Sequence, residues 1–429
     1  MMQNTNKLPA LEPMVYVLVV SDFTLPLFEA CLARIPSHVL LVVSDGGSFD
    51  SAAARLKKLL SEKFPSMVVV LLNAQRRQTP LKGDDVIECQ NWIADALVPL
   101  LRSEKYAHLR HVLNFTGGTK AMTAAMIANY AWSDLDYKSI SNQCIQIYEA
   151  HTLNDDSYIF PFTEKEPIEI KPVAALDVAR LYNEHAQEGR INALCHHESS
   201  ADLAKRIWNA QQDNDQELNS LFAALGHAWQ IPQNCRVGSV IVSWSTLPAH
   251  LNREKLKQWA DALSEIAPEV TESAEGYFRV PGKEDKTKQA KAWIKWVSGV
   301  WLEQLAFNWL TEYGVPEQRI ARNLIFGEDE LRSAAGREAD LFIHYRSRSL
   351  LVEIKAGIPP NGSPKEIEQQ ISSIKDRLGR SKKIILLGPS ARKTLEYQGK
   401  FEDFELRCRA SQVSLCLSRN HLIELLHKG

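Results

Sequence analysis

The first 150 residues alternate short apolar segments with helical patterns, and this alternation restricts the fold more than any other feature of the sequence. The apolar segments are rich in β-branched residues and cover residues 15–20, 38–44, 67–72 and 110–115. Helical patterns follow them near residues 25–35, 50–63, 85–102 and 119–132. Fully apolar strands that alternate with helices form mostly parallel sheets with helices on both faces. The sequence therefore predicts a Rossmann-like α/β domain, whose ligands bind at the carboxyl ends of the strands.

Polar loops follow two of these strands. The first loop contains Ser21, Asp22, Phe23 and Thr24, and the second contains Thr116, Gly117, Gly118, Thr119 and Lys120 and leads into the helix with Met122. Paired glycines let backbone N–H groups approach a phosphate, and a helix N-terminus adds positive potential. The spacing fits neither a Walker A loop nor the G-x-G-x-x-G dinucleotide motif. A phosphate-binding loop and an ordinary tight turn with a threonine N-cap explain the second loop equally well.

A hairpin pattern lies near the C-terminus. Two apolar strands are predicted at residues 339–345 and 350–354, with a short basic turn between them. Because successive side chains on a strand alternate between its faces, Glu353 and Lys355 point the same way. Asp340, at the start of the first strand, would lie near both if the strands pair.

This cluster of charges predicts a metal-dependent site. Two carboxylates that lie close together in a dry site repel each other unless a divalent cation bridges them. Hard oxygen ligands favour Mg²⁺ or Mn²⁺ over zinc. A lysine beside them can stabilise the charge that develops on a phosphodiester or position the attacking water. The alternative interpretation is a hairpin edge that simply carries charges.

The elements around the hairpin resemble a known nuclease core. A helical pattern at 301–309 precedes it with Glu303 beside the apolar stripe, a capped helical pattern at 363–378 follows it, and 383–387 forms another strand. Helix, strand, strand, helix, strand is the order of the PD-(D/E)xK nuclease family, which the chain resembles from residue 299 onward. The residues that resemble its motif positions are Glu303, Asp340, Glu353, Ile354, Lys355 and Gln369.

The nuclease resemblance implies a role for each of these residues. Asp340 and Glu353, with the backbone carbonyl of Ile354, would hold Mg²⁺ or Mn²⁺. Lys355 would stabilise charge or orient the attacking water, and Glu303 would complete or stabilise the metal site. Gln369 is a weaker match to the motif and would position Lys355.

The segment from Asn114 to Met122 resembles the signature loop of CARF domains, which sense cyclic oligoadenylates in type III CRISPR systems. A CARF domain ahead of a PD-(D/E)xK nuclease is similar to the CARF-nuclease family of CRISPR ancillary effectors. This resemblance implies a homodimer that binds a ring of adenylates, commonly cyclic tetra-adenylate, across its twofold axis. It also implies cleavage of single-stranded RNA or DNA, with possible nicking of duplex DNA. One alternative is a ligand-sensing regulator that binds nucleic acid without cleavage. A second is a ring nuclease, in which the CARF loop itself degrades the messenger.

The expected organisation is a CARF sensor domain at 1–165, a mainly helical connecting region at 166–290 and an α/β nuclease domain at 291–429. A winged-helix-like module and a helical spacer both fit the connecting region, and a spacer is favoured because no basic recognition helix stands out. His185, His196 and His197 lack a spaced set of partners and do not predict a metal site.

Composition limits the class of protein further. The formal net charge is −2, so any surface for nucleic acid must be local. Two groups of basic residues are candidates for it, although a solvated helix face is the favoured interpretation of either group alone: Lys283, Lys286, Lys288, Lys291 and Lys295, and Lys375, Arg377, Arg380, Lys382 and Lys383. Seven cysteines without a C-x-x-C pair argue against a disulfide framework or structural zinc. No signal peptide or membrane-spanning apolar run is recognisable, which predicts a cytoplasmic protein.

Overall fold

The fold was taken from a computed structural model, which describes residues 10–44, 49–72, 81–114, 116–132, 145–150, 157–161, 168–169, 172–230, 238–326, 337–345, 348–358 and 381–427. These residues form a seven-stranded sheet near the N-terminus, a six-stranded sheet near the C-terminus and a small three-stranded sheet between them in sequence. The mixed α/β class expected from the sequence is confirmed.

The N-terminal sheet has the strand order β3-β2-β1-β4-β5-β6-β7. Its strands are β1 (Glu12–Val19), β2 (Pro36–Val42), β3 (Val68–Leu72), β4 (Arg110–Asn114), β5 (Ile145–Ala150), β6 (Ser157–Pro161) and β7 (Ile168–Glu169). The first five are parallel, and β6 and β7 pair antiparallel at one edge. The four predicted strands and the parallel Rossmann-like sheet are thus confirmed.

Helices cover both faces of this sheet. They are α1 (Leu25–Arg34), α2 (Asp50–Lys63), α3 (Val86–Trp92), α4 (Val98–Leu101) and α5 (Lys120–Trp132), with a π-helical turn at Ile93–Leu97 joining α3 to α4. Tyr16 and Leu18 of β1 pack in one core with α1 and α2. Val17 and Val19 of the same strand pack in another core with α3 and α5. Burial on both faces explains why β1 is apolar at successive positions.

The connecting region is built from helices and the small sheet. The helices are α6 (Ala175–Tyr182), α7 (Ser200–Gln212), α8 (Gln216–Gln230) and α9 (Arg253–Glu265), and the strands are β9 (Ser239–Ser243), β10 (Glu272–Ser273) and β11 (Tyr277–Pro281). Residues 174–188 do not form one continuous helix. Asn183 leaves the helical conformation and its side chain accepts a hydrogen bond from the His185 backbone N–H, which ends α6. Gln187–Glu188 then forms a short strand, β8.

The C-terminal sheet has the order β16-β15-β14-β13-β12-β8. Its further strands are β12 (Ile320–Phe326), β13 (Arg337–Tyr345), β14 (Arg348–Lys355), β15 (Lys382–Leu387) and β16 (Val413–Cys416). The accompanying helices are α10 (Lys288–Lys295), α11 (Trp301–Glu312), α12 (Pro389–Tyr397), α13 (Phe401–Ala410) and α14 (Arg419–His427), with a π-helical turn at Trp296–Val300 between α10 and α11. Strands β12, β13 and β14 are antiparallel, and β15 and β16 continue parallel to β14.

The connecting region and the C-terminal sheet share a tryptophan-rich core. Trp293, Trp296 and Trp301 are buried among residues of α7, α8 and α9 and of the β13–β14 hairpin. These three tryptophans are therefore core residues. Strand β8 also joins the C-terminal sheet, although it lies within residues 166–290. In the described part of the chain, no helix is both long and apolar enough to cross a membrane.

Candidate functional site

The β13–β14 hairpin brings the predicted acids and lysine together. Leu341 pairs with Val352, so the next position along the ladder places Asp340 opposite Glu353. The backbone N–H of Ile354 donates a hydrogen bond of 2.5 Å to Oδ2 of Asp340. Asp340 therefore lies against the segment that carries Glu353 and Lys355, while the Ile354 side chain packs in the core on the opposite face.

Glu353 and Lys355 point the same way and form an ion pair. Lys355 Nζ donates to Glu353 Oε1 at 2.6 Å. The Glu353 side chain is only 2% exposed, and its other oxygen, Oε2, is buried without a hydrogen-bond partner in the described structure. A buried carboxylate oxygen with no partner is costly, and a bound cation would remove that cost.

Glu303 reaches the same cluster from α11. Burial raises its pKa to about 7, repulsion by Glu338 adds to the rise, and the positive charge of Arg322 opposes it. Neither Glu338 nor Arg322 was singled out in the sequence. Glu338 lies two residues before Asp340 on β13, so strand alternation could have identified it.

Glu303, Asp340 and Glu353 together form the acid cluster, and the last two are also hard to ionise. Burial, followed by the nearby charges of Glu353 and Glu303, raises the pKa of Asp340 well above its ordinary value. Burial raises the pKa of Glu353, and the charge of Lys355 partly offsets this. Three carboxyl groups with raised pKa values around one lysine form a site that gains from additional positive charge.

The donor atoms fit a hard divalent cation held by two carboxylates. In the described ranges, no three Asp, Glu, His or Cys side chains converge as a metal-binding group. Asp340 and Glu353 supply carboxylate oxygens, and the unpartnered Oε2 of Glu353 is such a donor. Gln369, the other predicted residue of this cluster, lies outside the described residues.

The backbone opposite Asp340 is distorted. In the antiparallel register of β12 and β13, Arg322 pairs with Leu341 and Leu324 with Ala339, which places Asn323 opposite Asp340. Asn323 has a φ of 50°, in the left-handed region that few residues other than glycine adopt. Its carbonyl oxygen accepts a hydrogen bond from the Gly189 N–H at 2.8 Å, and its side-chain amide donates to the Arg190 carbonyl oxygen at 3.1 Å. These bonds hold the left-handed residue in place beside the acid cluster.

The two polar loops of the N-terminal sheet lie side by side. Strands β1 and β4 are parallel neighbours, and Leu18 pairs with Asn114 close to their carboxyl ends. A Cβ atom at Gly117 would lie 2.2 Å from the Val19 carbonyl oxygen. Gly118 has a φ of 78°, and a Cβ atom there would lie 2.2 Å from Val19 Cγ1. The paired glycines thus let the second loop pack directly against the end of β1.

Hydrogen bonds fix the shape of the second loop. The Thr116 N–H donates to Asn114 Oδ1 at 3.0 Å, and Asn114 Nδ2 donates to the Tyr16 hydroxyl at 3.1 Å. The Thr119 hydroxyl accepts from the Met122 N–H at 3.1 Å and donates to the Gly83 carbonyl oxygen. Threonine 119 therefore caps α5, as one of the two sequence interpretations predicts.

The predicted ligand-binding residues divide into exposed and buried groups. Thr24 and Met122 are fully buried beneath the loops. Ser21, Gly118 and Thr119 are partly buried, and Gly117 is buried. The side chains that face solvent are those of Asp22, Phe23, Thr116 and Lys120. Lys120 of this exposed group lies at the N-terminus of α5, where the helix dipole favours an anion, whereas Asp22 adds a negative charge.

No protein-family model and no curated protein sequence matches the chain. Solved structures do resemble it. Can2 from Sulfobacillus thermosulfidooxidans, solved in complex with cyclic tetra-adenylate, aligns at 15% identity over 97% of this chain and 98% of Can2, with a TM-score of 0.62. The protein VC1899 from Vibrio cholerae aligns at 12% identity over 96% of both chains, with a TM-score of 0.66. The chain shares the fold of these proteins over nearly its whole length.

Proposed function

We propose that this chain is a metal-dependent endonuclease of type III CRISPR defence that is activated by a cyclic oligoadenylate, with cyclic tetra-adenylate as the favoured ring. One observation carries the catalytic part: Asp340, Glu353 and Lys355 converge on the β13–β14 hairpin, where their charges also act on Glu303 of α11. The shared fold with Can2, whose structure contains cyclic tetra-adenylate, supports the sensor part.

The exposed residues of the two N-terminal loops are the proposed ring-binding surface. Lys120 would neutralise a phosphate, and the backbone of the glycine loop would approach it closely. A ring with an even number of adenylates has rotational symmetry that matches a C₂ dimer. Each protomer of a homodimer could then bind an equivalent phosphate with the same loop.

The acid cluster is the proposed centre for phosphodiester hydrolysis. Asp340 and Glu353, with the backbone carbonyl of Ile354, would hold Mg²⁺ or Mn²⁺. When bound, such a cation polarises the scissile phosphate and lowers the pKa of a coordinated water. Lys355, which is held in place by its ion pair with Glu353, would stabilise the negative charge that develops on the phosphate.

Glu303 is a proposed further member of the metal site, which it would complete or stabilise. Burial and then repulsion by Glu338 raise its pKa above the ordinary value, and a bound cation would offset that rise. Gln369 remains a proposed positioning residue for Lys355. Single-stranded RNA, single-stranded DNA or both are the proposed substrates, and duplex DNA could be nicked.

Ring binding would act by raising the fraction of protein in the cleavage-competent state. A ligand that binds only the cleavage-competent arrangement of the dimer raises the fraction of protein in that arrangement, to an extent set by its differential affinity. A nuclease able to attack the nucleic acid of its own cell needs a low fraction of this state without the ring.

Product analysis separates this proposal from a regulator that binds without cutting. Purified protein is incubated with Mn²⁺, cyclic tetra-adenylate and end-labelled single-stranded RNA or DNA, alongside a Glu353→Gln variant. Cleavage by the wild type and none by the variant is the expected result. Tight strand binding with no cleavage by either protein would contradict the nuclease and support the regulator. Chromatography of the ring after incubation tests whether the sensor domain itself degrades it.

A further inference from the structure

The outer face of α10 presents three lysines to solvent. Lys288, Lys291 and Lys295 follow the spacing that places residues on one side of a helix, and all three are exposed. The opposite face of α10 is fixed in the tryptophan-rich core by Ala290 and Trp293, which are fully buried. The lysine face, defined by these three lysines, is therefore held in one orientation.

The positive charge of the lysine face is not neutralised within the described part of the chain, where none of the three lysines forms an ion pair. The first turn of α10 contains no acidic residue. Lys288 and Lys291 lie close to the positive end of the helix dipole, where cations are disfavoured. Lys291 and Lys295 are four residues apart, a spacing at which like charges repel. The arrangement costs helix stability, and a bound polyanion would offset that cost.

Specific hydrogen bonds attach α10 to the neighbourhood of the acid cluster. Asn192 Nδ2 donates to the Ala292 carbonyl oxygen of α10 at 2.8 Å. Three residues further along, the Cys195 carbonyl oxygen accepts from Gln304 Nε2 at 3.2 Å. Gln304 is the residue next to Glu303. The segment from Asn192 to Cys195 thus connects α10 to the part of α11 that carries Glu303.

The lysine face and the acid cluster are close along the chain. Lys295 and Glu303 are only eight residues apart in sequence, and the π-helical turn between α10 and α11 is kinked at Gly299. A flexible lysine side chain extends beyond its backbone position, so one nucleic-acid strand could contact the lysines and still enter the acid cluster.

We infer that the lysine face binds the sugar-phosphate backbone of the single-stranded substrate and guides it toward Asp340 and Glu353. This inference rests on the proposed nuclease function. Lys283 and Lys286 are also exposed and precede α10, although Glu284 and Asp285 lie between them in sequence. The tryptophan next to these lysines in sequence, at position 293, is buried and offers no ring for base stacking. Binding through phosphates alone is tolerant of sequence.

The test compares two triple variants in strand binding. One removes the lysine face (Lys288→Gln, Lys291→Gln and Lys295→Gln). The control removes three exposed lysines on other helices or loops (Lys57→Gln, Lys205→Gln and Lys400→Gln), so that both lose the same net charge. Fluorescence anisotropy measures the affinity for labelled oligo-dT and oligo-U strands across a salt series, with EDTA present and cyclic tetra-adenylate added. Cleavage with Mn²⁺ is measured separately.

The lysine-face variant is expected to bind both strands at least about tenfold more weakly at low salt. The slope of log affinity against log salt should fall in magnitude by about 2, because each lost contact to a single-strand phosphate removes about 0.7. Its thermal midpoint should equal or exceed that of the wild type, because like-charge repulsion is removed. The control variant should retain most of the wild-type affinity.

Other outcomes distinguish this inference from the proposed function. If the wild type binds and cleaves strands and both variants match each other in affinity and salt slope, the lysine face is not the guiding surface, although the nuclease proposal stands. If the variant loses affinity for heparin but keeps its affinity for single strands, the face binds another polyanion and the inference is wrong. If the wild type neither binds nor cleaves any strand, both the inference and the proposed function fail.

Discussion

Asp340 is tied to Ile354 by a hydrogen bond of 2.5 Å from the Ile354 backbone N–H to Oδ2 of the carboxylate. The bond crosses from β13 to β14 at the residue between Glu353 and Lys355. It therefore fixes the aspartate carboxylate in relation to the ion pair beside it. The catalytic part of the proposal depends on this fixed arrangement.

Replacing Asp340 with asparagine should abolish cleavage while preserving the fold. The amide oxygen of asparagine can still accept the Ile354 hydrogen bond, but the negative charge that would hold a cation is lost. Cleavage should fall by at least about a hundredfold, by analogy with the loss of groups that support a metal site. Gel-based cleavage assays measure the rate, and calorimetry should show unchanged ring binding. Asp403→Asn, on an exposed face of α13, is the matched control, and full activity in Asp340→Asn would refute the assignment.

Replacing Lys120 with alanine should weaken activation without affecting the acid cluster. Lys120 is exposed at the start of α5, in the loop that packs on β1. Loss of one phosphate contact of the charge-assisted kind should raise the ring concentration needed for half-maximal cleavage about tenfold. Cleavage at saturating ring should equal that of the wild type. An unchanged dose-response curve would count against the proposed ring-binding surface.

Replacing Gly118 with alanine should destabilise the N-terminal domain. The new Cβ would overlap Val19, and a φ of 78° is unfavourable for alanine, so a loss of about 1–3 kcal/mol in unfolding free energy is expected. Gly226→Ala is the control, because Gly226 lies within α8 and a Cβ there meets nothing within 4 Å. The control should be stabilised by up to about 1 kcal/mol. Urea denaturation measures both, and equal stability of the two variants would disprove the packing argument.

Glu303 should make the protein less stable as the pH rises. Its pKa of about 7 in the folded state exceeds its ordinary value of 4.5, so between these values the folded state retains a proton that the unfolded state has released. The unfolding free energy should therefore fall between pH 4.5 and pH 7. Over this pH range in EDTA, the unfolding free energy of the Glu303→Gln variant should fall by about 2 kcal/mol less than that of the wild type. An identical pH dependence in the two proteins would show that Glu303 is not held protonated.

The sequence predicted the parallel strands and the hairpin because both depend on local periodicity. The apolar strands β1 to β4 were located within a few residues, and the alternation of side chains placed Glu353 and Lys355 together. Strand β12 was missed, because polar residues including Asn323 interrupt its apolar pattern. The left-handed conformation of Asn323 depends on bonds to Gly189 and Arg190, which are distant in sequence.

The charges and burial around the site were harder to predict from the sequence than the site residues themselves. The contribution of Arg322 depends on the pairing of β12 with β13, which no local pattern encodes. Likewise, the burial of Thr24 and Met122 follows from how two loops pack and not from their own sequences. Lys383 was grouped with basic surface residues but is buried within β15.

Ring-dependent cleavage tests the central claim most directly. The rate of cleavage of labelled single-stranded RNA and DNA is measured with Mn²⁺, in the presence and absence of cyclic tetra-adenylate, and with cyclic hexa-adenylate as the comparison ring. The account predicts rapid cleavage with cyclic tetra-adenylate and little without a ring. Equal rates with and without rings would contradict activation by a ligand, and no cleavage despite tight ring binding would contradict the nuclease.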